Sequence, residues 1–306
     1  MRFDAAAPIV VCSPHFDDAV LSCWSVLARL PVSEVVNVFA GLPREGYTTW
    51  WDQLCGASSS AQIMQARIVE DRAAIALSGS RVPHNLVLLD AQYRVRPNRV
   101  LHATLRRLRP LRWRVLKTPL LRSWLQPHAA PSSEQVIAAL RARLPAASMV
   151  CAPAAIGSHP DHVVVRDAVL TLVQRGIPVR LYADLPYCLR KGWPSFISGG
   201  RAAHDGAIVR QWQQALSSIP ELKGCTRAAT IVALTKDERA AKRASAARYI
   251  TQFGALNSGV SGLLDDAESF AYELYWEIAA PVGCGPVAPA EPATQLEALL
   301  ANGPQP

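Results

Sequence analysis

Ile9-Val10-Val11-Cys12-Ser13-Pro14-His15-Phe16-Asp17-Asp18 decides how the rest of the chain is read. Its apolar, largely β-branched opening predicts a buried first strand. Ser13-Pro14 is a turn signal. His15, Asp17 and Asp18 follow, and then an apolar stretch of helix length from Ala19 to Ala28. A strand, a tight turn and a helix in that order place an imidazole and two carboxylates at the C-terminal end of a strand. Open α/β sheets hold their ligands there. An imidazole and a carboxylate so close together suit a divalent metal such as zinc. A second carboxylate beside such a site can take a proton from water. A plainer reading also stands: Asp17 or Asp18 caps the helix that follows.

The same order recurs downstream. Ser148 to Ala152 is a second short apolar run. Pro153 to Ser158 turns, His159-Pro160-Asp161-His162 follows, and Val163 to Val173 reads as a helix. If both strands belong to one parallel sheet, both polar clusters open on the same edge.

Pro14-His15-Phe16-Asp17-Asp18 resembles the P-H-x-D-D signature of the PIG-L/LmbE-like deacetylases, and His159-Pro160-Asp161-His162 resembles their H-P-D-H signature. The likeness runs from about residue 8 to about residue 280 and weakens after residue 190. It implies a Rossmann-like α/β fold, a mostly parallel sheet between helices. It implies a zinc-dependent enzyme, or one using another divalent transition metal, that removes an acyl group, usually acetyl, from an amino-sugar nitrogen. His15, Asp18 and His162 would be the metal ligands, and Asp17 the general base acting on the metal's water. His159 would stabilise the oxyanion or protonate the leaving amine, with Asp161 orienting it. Arg67 and Asp90 match positions that touch the substrate sugar. The chain departs from the family pattern in having Ala19 where many members carry glutamate, and no tyrosine just before His159.

With 306 residues, half of them hydrophobic, the chain can build one large α/β core. We expect a single domain over residues 1–284, an irregular insertion at about 94–131, and a Pro/Ala-rich tail over 285–306. The seven cysteines contain no C-x-x-C pair, which fits a reducing compartment better than a disulfide framework. No signal-peptide layout and no apolar run of about 18 residues is present. The expected location is cytoplasmic. The net charge of +8 is concentrated between Arg94 and Arg122, and no acid lies between Asp90 and Glu134. Such a stretch is either a solvated arginine-rich surface or a contact for anions.

Further elements follow from spacing. Strands are expected at 35–39, 85–90, 178–183 and 229–234. A helix is expected over 61–77 from apolar residues recurring at three and four, Ile63, Ala66, Val69, Ala73 and Leu77. Ser132 with Gln135, and Thr235 with Glu238, are spaced as capping boxes. They open helices reaching to about 144 and 253. Residues 266–278 read as a closing helix. Residues 44–60 read as a long loop, with Trp50 and Trp51 either walling a pocket or forming a local core. Asp184 and Tyr187 fall on the turn after the fifth strand. No G-x-G-x-x-G follows the first strand and no G-x-S-x-G occurs. A dinucleotide cofactor and a serine nucleophile are therefore not expected.

The leading reading is a metal-dependent N-deacetylase acting on a small N-acyl amino-sugar substrate, part of a glycoconjugate or natural product. No nucleic-acid partner is expected. Two alternatives stand beside it. One is an amidohydrolase acting on a non-sugar metabolite. The other is a nucleic-acid or membrane-surface binder in which the arginine stretch matters most and the metal site is vestigial.

Overall fold

The computed structural model describes residues 8–30, 33–44, 48–80, 82–94, 130–144, 147, 149–189 and 226–279, with isolated positions between 193 and 222. Most of the expected insertion, the arginine stretch beyond Arg94, and the 285–306 tail lie outside the described residues.

Strand β1 (Ile9–Ser13) is buried at every position. It runs parallel to β2 (Glu34–Asn37) on one side and to β4 (Met149–Pro153) on the other. Beyond β2 lies the short β3 (His84–Asn85), and beyond β4 lies β5 (Val179–Tyr182), both parallel to their neighbours. Strand β7 (Tyr272–Ala279) joins β5 antiparallel, and β6 (Thr226–Ala233) closes that edge antiparallel to β7. The seven-stranded order is β3-β2-β1-β4-β5-β7-β6. This is the expected α/β class, a mostly parallel sheet with helices. Strand order reverses between β1 and β4, so the two motif-bearing turns leave adjacent strands at a topological switch point.

Side-chain alternation explains the continuous apolar runs. Val10 and Cys12 pack with Val36, Val150 and Leu181, whereas Ile9 and Val11 pack with Val35, Met149 and Cys151. Both faces of the central strands are covered, as parallel sheets require.

Helix α3 (Trp50–Leu54) occupies part of the expected 44–60 loop, with Thr49 as N-cap accepting from the Asp52 N–H. Helix α4 (Ser60–Ala76) starts where Ser59 caps the Gln62 N–H. Helix α5 (Ala91–Arg94) is short. Helix α6 (Ser133–Leu140) has the Ser132/Gln135 capping box. Helix α7 (Pro160–Leu170) follows β4. Helix α8 (Lys236–Ala246) opens on the Thr235/Glu238 capping box, and α9 (Ile250–Gly259) follows it as a separate helix. The single helix expected to run to about 253 is broken near Tyr249, whose hydroxyl donates to buried Asp71.

Three other expectations differ. The Ala19–Ala28 stretch is two helices, α1 (Asp18–Ser22) and α2 (Trp24–Arg29), divided at Cys23. The break frees the first N–H groups of α2, and the Glu273 carboxylate accepts from Trp24 and Ser25 at 2.7 and 2.9 Å. The expected 85–90 strand pairs only through Asn85, plus one bridge between Phe39 and Val87. The expected closing helix is β7. Its Leu274, Trp276 and Ile278 enter one apolar cluster and Tyr275 the other, a period of two. Aromatic and β-branched residues at that period favour a strand.

Candidate metal and catalytic site

The first turn is tied at several points. The Ser13 hydroxyl donates to the His15 carbonyl at 2.5 Å and accepts from the Ala19 N–H at 3.0 Å. Val38 and Phe39, just past β2, donate their N–H groups to the carbonyls of Ser13 and Pro14. His15 donates its own N–H to Asp18 Oδ2 at 2.9 Å. Asp17 occupies the N-cap position of α1, yet its side chain makes no capping hydrogen bond. The capping reading of the paired aspartates is therefore not what the turn shows.

The second turn leaves β4 through Ala155 and Ser158, both non-glycine residues with φ near +60° (59° and 54°). Such residues are uncommon and collect at functional sites. His159 is the N-cap of α7, with Pro160 entering the helix behind it. His159 Nδ1 accepts from the Asp161 N–H at 3.3 Å.

The two turns meet at one atom. Asp18 Oδ2 lies 3.3 Å from His15 Nδ1 and 3.3 Å from His162 Nε2. Zinc ligands held at 2.0–2.1 Å in a tetrahedron stand about 3.3–3.4 Å apart. His162 is fully buried, and its Nε2 has no properly oriented hydrogen-bond partner among the described residues. An orphaned buried imidazole nitrogen, a second imidazole and a carboxylate at tetrahedral-edge spacing fit a divalent transition metal. The ring nitrogens facing away are both occupied. His15 Nε2 is 3.1 Å from Asp161 Oδ2, and His162 Nδ1 is 3.1 Å from Asp184 Oδ2. A carboxylate behind each ligating imidazole is the usual support of such sites. His159 stands edge-on to His15 with ring centres 4.9 Å apart, and its ligating atoms also fall within 4.8 Å of those of His15 and His162.

Charge follows from this packing. Burial raises the Asp17 carboxyl, and Asp18 beside it adds to the effect, pushing it up to about 6. Burial alone would also raise Asp18, but His162 and His15 override it and hold Asp18 well below the ordinary carboxylate range. Burial lowers the His159 imidazole well below its usual value, and the neighbouring imidazoles of His15 and His162 lower it further. His159 is thus neutral near pH 7.

The site residues expected from sequence are placed as follows. Asp161, expected to orient His159, is buried beside His15. Its carboxylate accepts from His15, from the Ala91 N–H at 2.9 Å and from Arg94 at 2.5 Å. Only its backbone N–H meets His159. Asp90 Oδ2 lies 3.8 Å from His15 Nε2 and accepts from the Gln92 side chain at 3.2 Å. Arg67 is 3% exposed. Its guanidinium lies 3.7 Å from Asp52 and touches the sulfurs of Met64 and Cys55, while its Nε has no partner among the described residues. Arg94, Asp184 and Tyr187 complete the surroundings. The Tyr187 ring lies 5.1 Å from His162 and 5.9 Å from His159, and a side chain at Gly157 would collide with it. Asp184 and Tyr187 were legible as strand-end residues. Arg94 lies in the Asp90–Arg94 segment that resembles the family, but it was not expected at the site, because it opens a stretch whose charge suggests surface.

The same fold occurs in three solved deacetylases. One is the zinc-inhibited form of teicoplanin deacetylase Orf2, 21% identical, with a TM-score of 0.60 over 91% of this chain and 100% of that one. Another is a deacetylase of the teicoplanin biosynthesis pathway in complex with bog, 23% identical, with a TM-score of 0.61 over 91% and 100%. The third is the A40926 pseudoaglycone deacetylase Dbv21, 23% identical, with a TM-score of 0.56 over 92% and 100%. No family model and no curated protein matches the sequence. The chain thus shares the α/β fold of these deacetylases, the fold class expected from the two motifs. No helix among the described residues is long and apolar enough to cross a membrane.

Proposed function

We propose that the protein is a divalent-metal-dependent N-deacetylase that hydrolyses an N-acyl, usually N-acetyl, group on an amino sugar of a glycoconjugate or natural product. The observation that carries this reading is the convergence of His15 Nδ1 and His162 Nε2 on Asp18 Oδ2, each at 3.3 Å, with uncapped Asp17 next in the chain. The likeness in fold to a teicoplanin deacetylase and an A40926 pseudoaglycone deacetylase supports the reading.

His15, Asp18 and His162 would hold the ion. When bound, a zinc ion lowers the pKa of water toward about 7 and polarises a carbonyl oxygen. Asp17 takes the proton of the attacking water; a carboxyl raised to about 6 is matched to that task near neutrality. His159 has its Nδ1 filled by a backbone N–H, so the neutral ring carries its proton on Nε2. That N–H donates a hydrogen bond to the developing oxyanion, and the proton taken by Asp17 is the one available to the departing nitrogen. Arg67, buried near Asp17 with an unpaired Nε, and Asp90 offer a donor and an acceptor for sugar hydroxyls.

The test is metal analysis of the purified protein, followed by assay of acyl release from N-acyl amino sugars, free and attached to a glycopeptide, with zinc added. One ion per chain and release of free amine are expected. His162→Ala should lose the ion. Retention of the ion by that variant, or no acyl release from any amino sugar with the ion in place, counts against the reading.

A further inference from the structure

The two imidazoles face Asp18 through different nitrogens, His15 by Nδ1 and His162 by Nε2. An imidazole can ligate through either, and the hydrogen bond at the opposite nitrogen decides which. At His162 that bond comes from Asp184, whose other oxygen accepts the Ile156 N–H at 3.0 Å. At His15 it comes from Asp161, fully buried and served by two donors of the four-residue helix α5: the Ala91 N–H and the Arg94 guanidinium. Arg94 is itself fixed. It donates to the Leu89 carbonyl at 2.9 Å, lies 5.1 Å over the Phe39 ring, and is only 7% exposed. The first residue of the basic stretch has therefore left the surface and turned inward.

We propose that Arg94 and Asp161 form a positioning pair that holds His15 with Nδ1 toward the metal ion. This rests on the reading of His15, Asp18 and His162 as metal ligands. Asp161 shares its buried charge between a guanidinium and the Nε2–H of His15, so the ring keeps one tautomer and one orientation. Arg94 acts through Asp161 and touches neither ion nor substrate. Helix α5 is then the structural support of the first motif, supplied from about 75 residues downstream of it, a distance counted from Asp18 to Ala91 and Arg94.

The test is zinc competition against a chromophoric chelator on the full chain, for wild type, Arg94→Met and Arg94→Lys. Arg94→Met should bind zinc 10- to 100-fold more weakly. Arg94→Lys, which keeps the charge but not the fork, should recover part of that loss. Long-range 1H–15N spectra of the zinc-loaded wild type should show His15 metallated at Nδ1 and protonated at Nε2, with His162 the reverse. Those spectra decide the matter if Arg94→Met does not fold. Wild-type affinity in a folded Arg94→Met, or His15 bound through Nε2, overturns the pairing while leaving the metal site intact. A wild-type protein that binds no zinc overturns the metal reading itself.

Discussion

Two clusters of buried charge occupy the same α/β core, and they differ in completeness. In one, Lys242 and Glu273, both fully buried, pair at 2.7 Å. The Glu273 carboxylate also accepts from the N–H groups of Trp24 and Ser25 and from the Tyr275 hydroxyl at 2.8 Å. Every acceptor there has its donor. In the other, two imidazoles each stand 3.3 Å from the same carboxylate oxygen, and His162 Nε2 has no properly oriented hydrogen-bond partner among the described residues. Buried polar groups are ordinarily satisfied, so a finished cluster reads as structure and an unfinished one as a site.

The contrast can be attacked from either side. The largest effect belongs to the unfinished cluster. Asp17→Asn should keep its metal and lose turnover by about 10²–10⁴-fold, the usual range for a general base. Near-normal turnover with full metal content would remove Asp17 from the mechanism. Next comes the finished cluster. Glu273→Ala strands the Lys242 ammonium and two helix N–H groups, and should cost about 3–5 kcal/mol in denaturant unfolding. Lys242→Met should cost less, because Glu273 keeps three donors. Neither change should alter zinc stoichiometry in the folded fraction; a loss of zinc there would mean the two clusters are one.

A third burial sharpens the comparison through pH. Asp71 accepts from Tyr249 at 2.8 Å and from Asn37 at 2.6 Å, yet burial pushes its carboxyl up to about 8. Its proton is therefore held more tightly folded than unfolded. The stability it supports is complete below the ordinary carboxylate value of 3.8 and is lost as pH rises toward about 8. The slope is at most about 1.4 kcal/mol per pH unit. Asp71→Asn, which cannot titrate, should flatten unfolding free energy over that window; an unchanged slope would show that other groups set it. The smallest effect belongs to the surface. Thr235→Ala removes a capping bond to the Glu238 N–H and should cost about 1 kcal/mol, seen as a lower denaturation midpoint.

These burials also explain what the sequence could and could not disclose. His15–Asp18 and His159–His162 were readable because each motif is local and each follows a strand. The parallel order then brings the turns together without further information. The partner that was not readable is Arg94, which meets Asp161 across 67 residues with no spacing rule to link them. Helix α4 misled for a different reason. Its apolar repeat predicted Val69 and Leu77 on the buried face, but they are 66% and 47% exposed. The buried face carries Arg67 and Asp71 in one stripe with Ile63, Met64, Ala74 and Ile75. A hydrophobic period does not find the charged members of such a stripe.

The clamp of Glu273 on helix α2 spans 249 residues of chain. At ordinary translation speeds of about 5–20 residues per second, Trp24 emerges roughly 12–50 s before its acceptor is made. Throughout that interval the nascent chain carries the first histidine turn with the helix behind it uncapped. Helix α2 can therefore gain its Glu273 acceptor only after every parallel strand of the sheet has been made.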